Sequence, residues 1–149
     1  MYFGEYERTV DQKGRFAVPP HMLMAAEDAD WSRVMITKAA GPCLYLYELE
    51  TWKSVLGSAQ GLDEDESRLF MHRALADAHL SEVDTLKRIT IPAALLQHAR
   101  IERKAIVVGM FNHLELWDVA VWREYLDSME DIEVPTIADL SRNRIREVS

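Results

Sequence analysis

The chain carries one pattern twice, and that repetition constrains its fold more than any other feature. Residues 10–19 read VDQKGRFAVP and residues 83–92 read VDTLKRITIP, with Val, Asp, Arg and Pro in the same places. A helix-like stretch follows each copy, PHMLMAAED in one and AALLQHARI in the other. Further on, CLYLYELETWKSVL (43–56) aligns with HLELWDVAVWREYL (113–126). Leu44/Leu114, Leu46/Leu116, Trp52/Trp122 and Leu56/Leu126 are identical there. The offset drifts from 73 to 70, so a short deletion separates the blocks. Two blocks in the same order indicate a tandem duplication. In 149 residues, the two units form one domain or two small ones sharing a core.

Each unit reads as β-rich with short helices, an α+β pattern. A first strand approaches Asp11, and Asp11-Gln12-Lys13-Gly14 is a turn. Asp at its first position accepts from backbone N–H groups, and Gly at its fourth supplies positive φ. Arg15–Val18 alternates polar and apolar residues, as a half-buried strand does. Pro19-Pro20 ends that strand and presets a helix, with Met22, Leu23 and Ala26 on its apolar side. Val34–Thr37 and Leu44–Tyr47 read as strands, and Leu49–Leu56 as a helix carrying Trp52. The second unit repeats this over Ile89–Ile91, Ala93–His98, Ala105–Val108, Leu114–Trp117 and Val119–Leu126.

Between the units, an acidic first turn at Asp63–Glu66 suits a helix N-terminus. The pattern predicts a helix from about Asp63 to about His79, with Leu69, Phe70 and Ala74 on one buried side. The resulting organisation is a first repeat over 1–60, a connecting helix over 61–80, a second repeat over 81–130 and a tail over 131–149. The tail has no clear periodicity and reads as a short helix or a mobile end bearing Arg142, Arg144 and Arg146.

Net charge is −8, from 17 basic and 25 acidic residues. It is evenly spread: residues 1–73 hold 8 basic and 12 acidic, residues 74–149 hold 9 and 13. Taken alone, that balance argues against nucleic acid, although a local basic patch remains compatible with it. The single cysteine, Cys43, excludes an intrachain disulfide and a four-cysteine zinc site. It also lacks an adjacent basic residue to activate it. His72 and His79, seven apart on one helix, would stand about 10 Å apart in rise, too far to share a metal without a third ligand. No nucleophile elbow, phosphate loop or zinc-protease motif is present. No enzyme activity, cofactor or metal is expected. The amino-terminal residues do not form a signal peptide, no apolar run is long enough to span a membrane, and a reducing cytoplasm is the expected location.

The sharpest motif is Asp11-x-x-x-Arg15, repeated as Asp84-x-x-x-Arg88. A turn brings residue i close to residue i+4, so the carboxylate caps the turn and holds the guanidinium at a fixed angle. An arginine held this way approaches a phosphate or a guanine edge with less loss of side-chain entropy. For an isolated copy, a surface ion pair worth under about 1 kcal/mol is the simpler account. Duplication in register alters that balance, because a pseudo-twofold arrangement can place both arginines on one face. Lys13, Lys87 and Arg8 are candidate phosphate contacts. The tryptophans read as core or subunit-interface packing.

The opening FGEYERTVDQKGRFAVP, the paired D-x-x-x-R turns with their apolar-x-apolar-Pro continuations, and the Leu-x-aromatic…Trp endings resemble the MraZ family. These proteins have two tandem AbrB-like domains of the SpoVT/AbrB superfamily. The resemblance covers roughly residues 1–130. It implies a swapped-hairpin-type, pseudo-twofold β-rich barrel with flanking helices. It also implies a nucleoid-associated regulator that binds double-stranded DNA at promoter direct repeats of the division and cell-wall gene cluster. Head-to-tail rings of eight or more subunits are implied as well. Arg15, Asp11, Lys13, Arg88, Asp84, Lys87 and Arg8 are then the expected DNA-binding residues. One departure stands out: Lys87 occupies the place of the turn glycine, which predicts a second turn of different shape. The alternative is a ring-forming protein-interaction adaptor on the same fold without specific DNA binding.

Overall fold

The computed structural model describes residues 1–24 and 29–148, with side chains up to Arg142. The first unit contains β1 (Glu5–Thr9), β2 (Arg15–Ala17), α1 (Pro20–Leu23), β3 (Arg33–Lys38), β4 (Leu44–Glu48) and α2 (Leu49–Gly57). A 3₁₀ turn at Ser58–Gly61 leads into α3 (Glu64–Leu75). The second unit contains β5 (His79–Glu82), β6 (Arg88–Thr90), α4 (Ala93–His98), β7 (Lys104–Gly109), β8 (Leu114–Asp118) and α5 (Val119–Ser128). Helix α6 (Ile137–Val148) follows. Ala26, expected on the first helix, lies outside the described residues.

The strands form an antiparallel six-stranded sheet in the order β1-β7-β8-β4-β3-β5, and β2 pairs with β6 as a separate two-stranded ribbon. Exchanging the units leaves this order unchanged, so the β4–β8 and β2–β6 pairs straddle a pseudo-twofold relation. Each unit also lends its first strand to the other. β1 pairs with β7, Thr9 opposite Lys104, and β5 pairs with β3, Glu82 opposite Arg33.

Strand alternation separates two apolar faces. Val34, Ile36, Leu44, Leu46, Ala105, Val107, Leu114 and Leu116 turn inward, where Phe16 and Ile89 of the ribbon meet them. Deep burial supplies about 1.5–3 kcal/mol for each of the valine, leucine, isoleucine and phenylalanine side chains among these. On the opposite face, Ile106, Val108 and Trp117 pack against Trp122 of α5. Trp52 of α2 is buried on the first unit's side of that face, 5.4 Å from the Tyr47 ring. The two helices start alike. Glu48 accepts from the Glu50 and Thr51 N–H groups, and Asp118 accepts from the Val121 N–H.

Three expectations about the connections need correction or completion. The connecting helix ends at Leu75, not His79, because His79–Glu82 joins β3 as a strand. The backbone bonds gained at that sheet edge override the helical propensity of Ala76-Asp77-Ala78. Phe70 and Ala74 are partly buried as expected, but Leu69 is 49% exposed. The side facing the sheet runs instead through Ser67, Phe70, Met71 and Ala74. Of the two readings of the tail, the helical one holds. The Asp139 N–H donates to Thr136 Oγ1 at 3.1 Å and the Thr136 N–H to Asp139 Oδ2 at 3.0 Å, a reciprocal cap for α6.

Candidate nucleic-acid interface

The candidate site is the β2–β6 ribbon with its two turns. In the first turn, Asp11 Oδ1 accepts from the Lys13 and Arg15 backbone N–H groups, each at 2.9 Å. The Gly14 N–H donates to the Asp11 carbonyl, closing the turn, and Gly14 has φ +79°. Asp11 Oδ2 is then left facing the Arg15 guanidinium, whose Nε donates to it at 2.8 Å. A single carboxylate thus shapes the backbone with one oxygen and aims the cation with the other.

The second turn repeats this atom for atom. Asp84 Oδ1 accepts from the Leu86 N–H at 2.9 Å and the Arg88 N–H at 2.8 Å, and Arg88 Nε donates to Asp84 Oδ2 at 2.8 Å. The Arg15 and Arg88 side chains are both 31% exposed. The expectation that Lys87 would give this turn another shape is therefore overturned. Lys87 adopts the glycine conformation, with φ +62°. The left-handed region costs a non-glycine residue about 1–2 kcal/mol, and the carboxylate bonds of the turn together with the ribbon offset it. The cation of the turn has shifted by one place, since Lys13 aligns with Leu86 and Gly14 with Lys87. Lys13, Lys87 and Leu86 are all exposed.

The ribbon brings the two turns together. Arg15 stands opposite Thr90 and Ala17 opposite Arg88, with Phe16 and Ile89 paired between them. Alternate residues share a face, so Arg15 and Arg88 occupy one face diagonally while Phe16 and Ile89 occupy the core side. The Ile91 N–H donates to the Gly14 carbonyl and the Val18 N–H to the Lys87 carbonyl, which locks the turns to opposite ends of the ribbon. Arg8 is committed to the framework as well. Its Nε donates to the Ala17 carbonyl at 3.1 Å and its Nη1 to the Glu7 carbonyl at 2.9 Å. Ser81 occupies the equivalent place and its Oγ accepts from the Thr90 N–H at 3.2 Å.

Both turn carboxyls are held below the usual aspartate value, first by the backbone N–H of Arg15 or Arg88, with the guanidinium adding to it. The site therefore offers two oriented guanidinium groups with flanking cations on a rigid ribbon. Sequence reasoning found these side chains but not the Phe16–Ile89 pair beneath them or the Ser81 brace. Only the in-register duplication hinted at the pairing.

The other residues with reactive chemistry are spent elsewhere. Cys43 is buried, and its thiol is pushed up to about 12 by burial and by the nearby Glu115. His72 lies on α3 and His79 on β5, so the expectation of one helix carrying both is corrected. Among the described residues, no group of three His, Cys, Asp or Glu side chains is placed to hold a metal ion. No described helix is long and apolar enough to cross a membrane.

Comparison with known proteins places this arrangement in context. The family described as "MraZ protein, putative antitoxin-like" matches residues 1–73 and again residues 74–143. A protein named transcriptional regulator MraZ from Thermoanaerobacter pseudethanolicus is 36% identical over 141 residues, covering 93% of this chain and 95% of that protein. Proteins of the same name from Desulfitobacterium hafniense and Cytophaga hutchinsonii are each 33% identical. They cover 88% and 87% of this chain, and 90% and 89% of their own lengths.

Proposed function

Because the chain belongs to the MraZ family, we propose that it is a transcriptional regulator, as its relatives are named, and that it acts by binding DNA. The observation that carries this reading is the pair of aspartate-held arginines on one face of the β2–β6 ribbon. The major groove of duplex DNA admits a two-stranded β-ribbon, and arginine pairs with the O6/N7 edge of guanine. In this reading Arg15 and Arg88 read base edges, and Asp11 and Asp84 orient them. Lys13, Lys87 and the remaining donors of Arg8 neutralise phosphates. The action is recognition without catalysis, in the cytoplasm and on the nucleoid.

The finer form of the proposal follows the family resemblance. The tandem units close as a pseudo-twofold barrel. Head-to-tail rings of eight or more subunits lay successive ribbons on promoter direct repeats of the division and cell-wall gene cluster. Heterologous contacts close as rings when the rotation between subunits closes, and tethered copies bind in concert. An acidic subunit then needs only modest attraction per ribbon.

Fluorescence anisotropy with duplex from the protein's own upstream region, against a scrambled duplex at two salt concentrations, tests the reading. Preferential binding should weaken steeply with salt. Arg15→Ala and Arg88→Ala should each cost about 1–3 kcal/mol. Equal, weak binding to both duplexes, unchanged by either substitution, would leave a protein-interaction adaptor as the better account.

A further inference from the structure

The two units differ at one indole donor. Trp52 and Trp122 are equivalent residues, on α2 and α5. The Trp122 Nε1–H donates to Glu5 Oε2 at 3.0 Å. Trp52 is 5% exposed and its Nε1–H, itself buried, has no hydrogen-bond partner among the described residues. The reason lies in the repeat. With the offset of 73 that aligns the D-x-x-x-R turns, Glu5 corresponds to Ala78. The register agrees: Glu5 stands opposite Val108, and extending the β3–β5 pairing one residue beyond Ile36–His79 sets Ala78 opposite Thr37. The second unit answers its tryptophan with a carboxylate, whereas the first has methyl in that place. Buried donors are rarely left unmatched, because each costs its full desolvation.

Trp52 also lines a cavity of about 340 Å³, together with Thr37, Tyr45, Tyr47, Phe70 and Arg73 among others. Its volume is at the small end of ligand pockets, and its aromatic lining asks for an apolar body. Lys38, also at its wall, is already paired with Asp77 at 3.4 Å. Arg73 makes no ion pair with any described residue. A neutral acceptor would satisfy Trp52 alone, whereas a carboxylate answers Trp52 and Arg73 together.

We propose that this cavity binds a small amphipathic carboxylate, its apolar part among the tyrosines and Phe70, its carboxylate taking the role that Glu5 plays in the other unit. The site lies on the outer face of the sheet, across β3 and β4 from the ribbon, and is independent of the DNA reading.

Indole N–H resonances in ¹H–¹⁵N spectra of the full chain provide the test, with phenylacetate as probe and phenylacetamide as its neutral control. Trp52→Phe assigns the Trp52 signal. Phenylacetate should move that signal downfield in a saturable way, with the other indoles much less affected. Phenylacetamide should bind at least tenfold more weakly, and Arg73→Gln should weaken phenylacetate at least fivefold. Ala78→Glu restores an internal acceptor, so it should shift Trp52 without ligand and abolish the response. An unmoved Trp52 signal at tens of millimolar phenylacetate overturns the proposal. So does equal binding of acid and amide, a comparison made on the wild-type chain, or an undiminished response in Ala78→Glu.

Discussion

At the residue scale, the turn aspartates decide what the arginines can do. Each uses Oδ1 to hold the backbone and Oδ2 to hold the guanidinium. Their folded-state titration lies below the ordinary 3.8, chiefly through the Arg15 or Arg88 backbone N–H. For a depressed carboxyl, the stabilisation is complete above the unfolded value and is lost as pH falls through the folded one. Most molecules should therefore keep the arginines oriented at pH 3.8, and the orientation should be lost progressively as pH falls through the lower folded-state midpoints. Carboxyl-carbon NMR titration should give similar midpoints for Asp11 and Asp84, both under 3.8; a midpoint at or above that value contradicts the arrangement. Lys87 is the strained member of the site. Lys87→Gly relieves a left-handed penalty of about 1–2 kcal/mol and gives back roughly 0.5–1 through the freer unfolded chain. The net gain should lie between about 0 and 1.5 kcal/mol, raising Tm by up to roughly 3–6 °C. The same substitution removes a cation, and the salt slope of DNA binding should fall by about one.

At the element scale, the ribbon depends on a close approach that only glycine permits. A Cβ on Gly14 would lie 2.4 Å from the Ile91 carbonyl oxygen, on a backbone already at φ +79°. Gly14→Ala should destabilise the fold by at least about 1–2 kcal/mol, read from the urea midpoint, and should weaken DNA binding even where the chain stays folded. A substitution at exposed Leu69 of α3, such as Leu69→Gln, should stay within about 0.5 kcal/mol. These contrasts also mark what was legible in the sequence. The D-x-x-x-R turns were legible because their hydrogen bonds are local, within four residues. The strands carrying Leu44, Leu46, Leu114 and Leu116 were legible from alternation. The end of α3 was not, since Ala76-Asp77-Ala78 suits a helix and only the distant β3 edge makes His79 a strand. Nor was the shape of the second turn, where residue preference at Lys87 pointed one way and the tertiary ribbon prevailed.

At the scale of the whole molecule, neither unit is complete alone. β1 finds its sheet partner in β7, and β5 finds its own in β3. Residues 1–77 expressed alone should therefore be unfolded or dimeric, the second copy supplying β3 as the partner for β1. Analytical ultracentrifugation with circular dichroism distinguishes these states from a folded monomer, the outcome that would refute the exchange. The exchange also has a consequence during synthesis. Thr9 and Lys104, side by side in the finished sheet, are 95 residues apart. At roughly 5–20 residues per second, β1 leaves the ribosome about 5–20 s before its own partner strand is made. Throughout that interval it is an unpaired edge, the kind of surface that captures another strand. The rate of translation across the intervening codons then sets how long a neighbouring nascent chain on the same message competes with the protein's own second half.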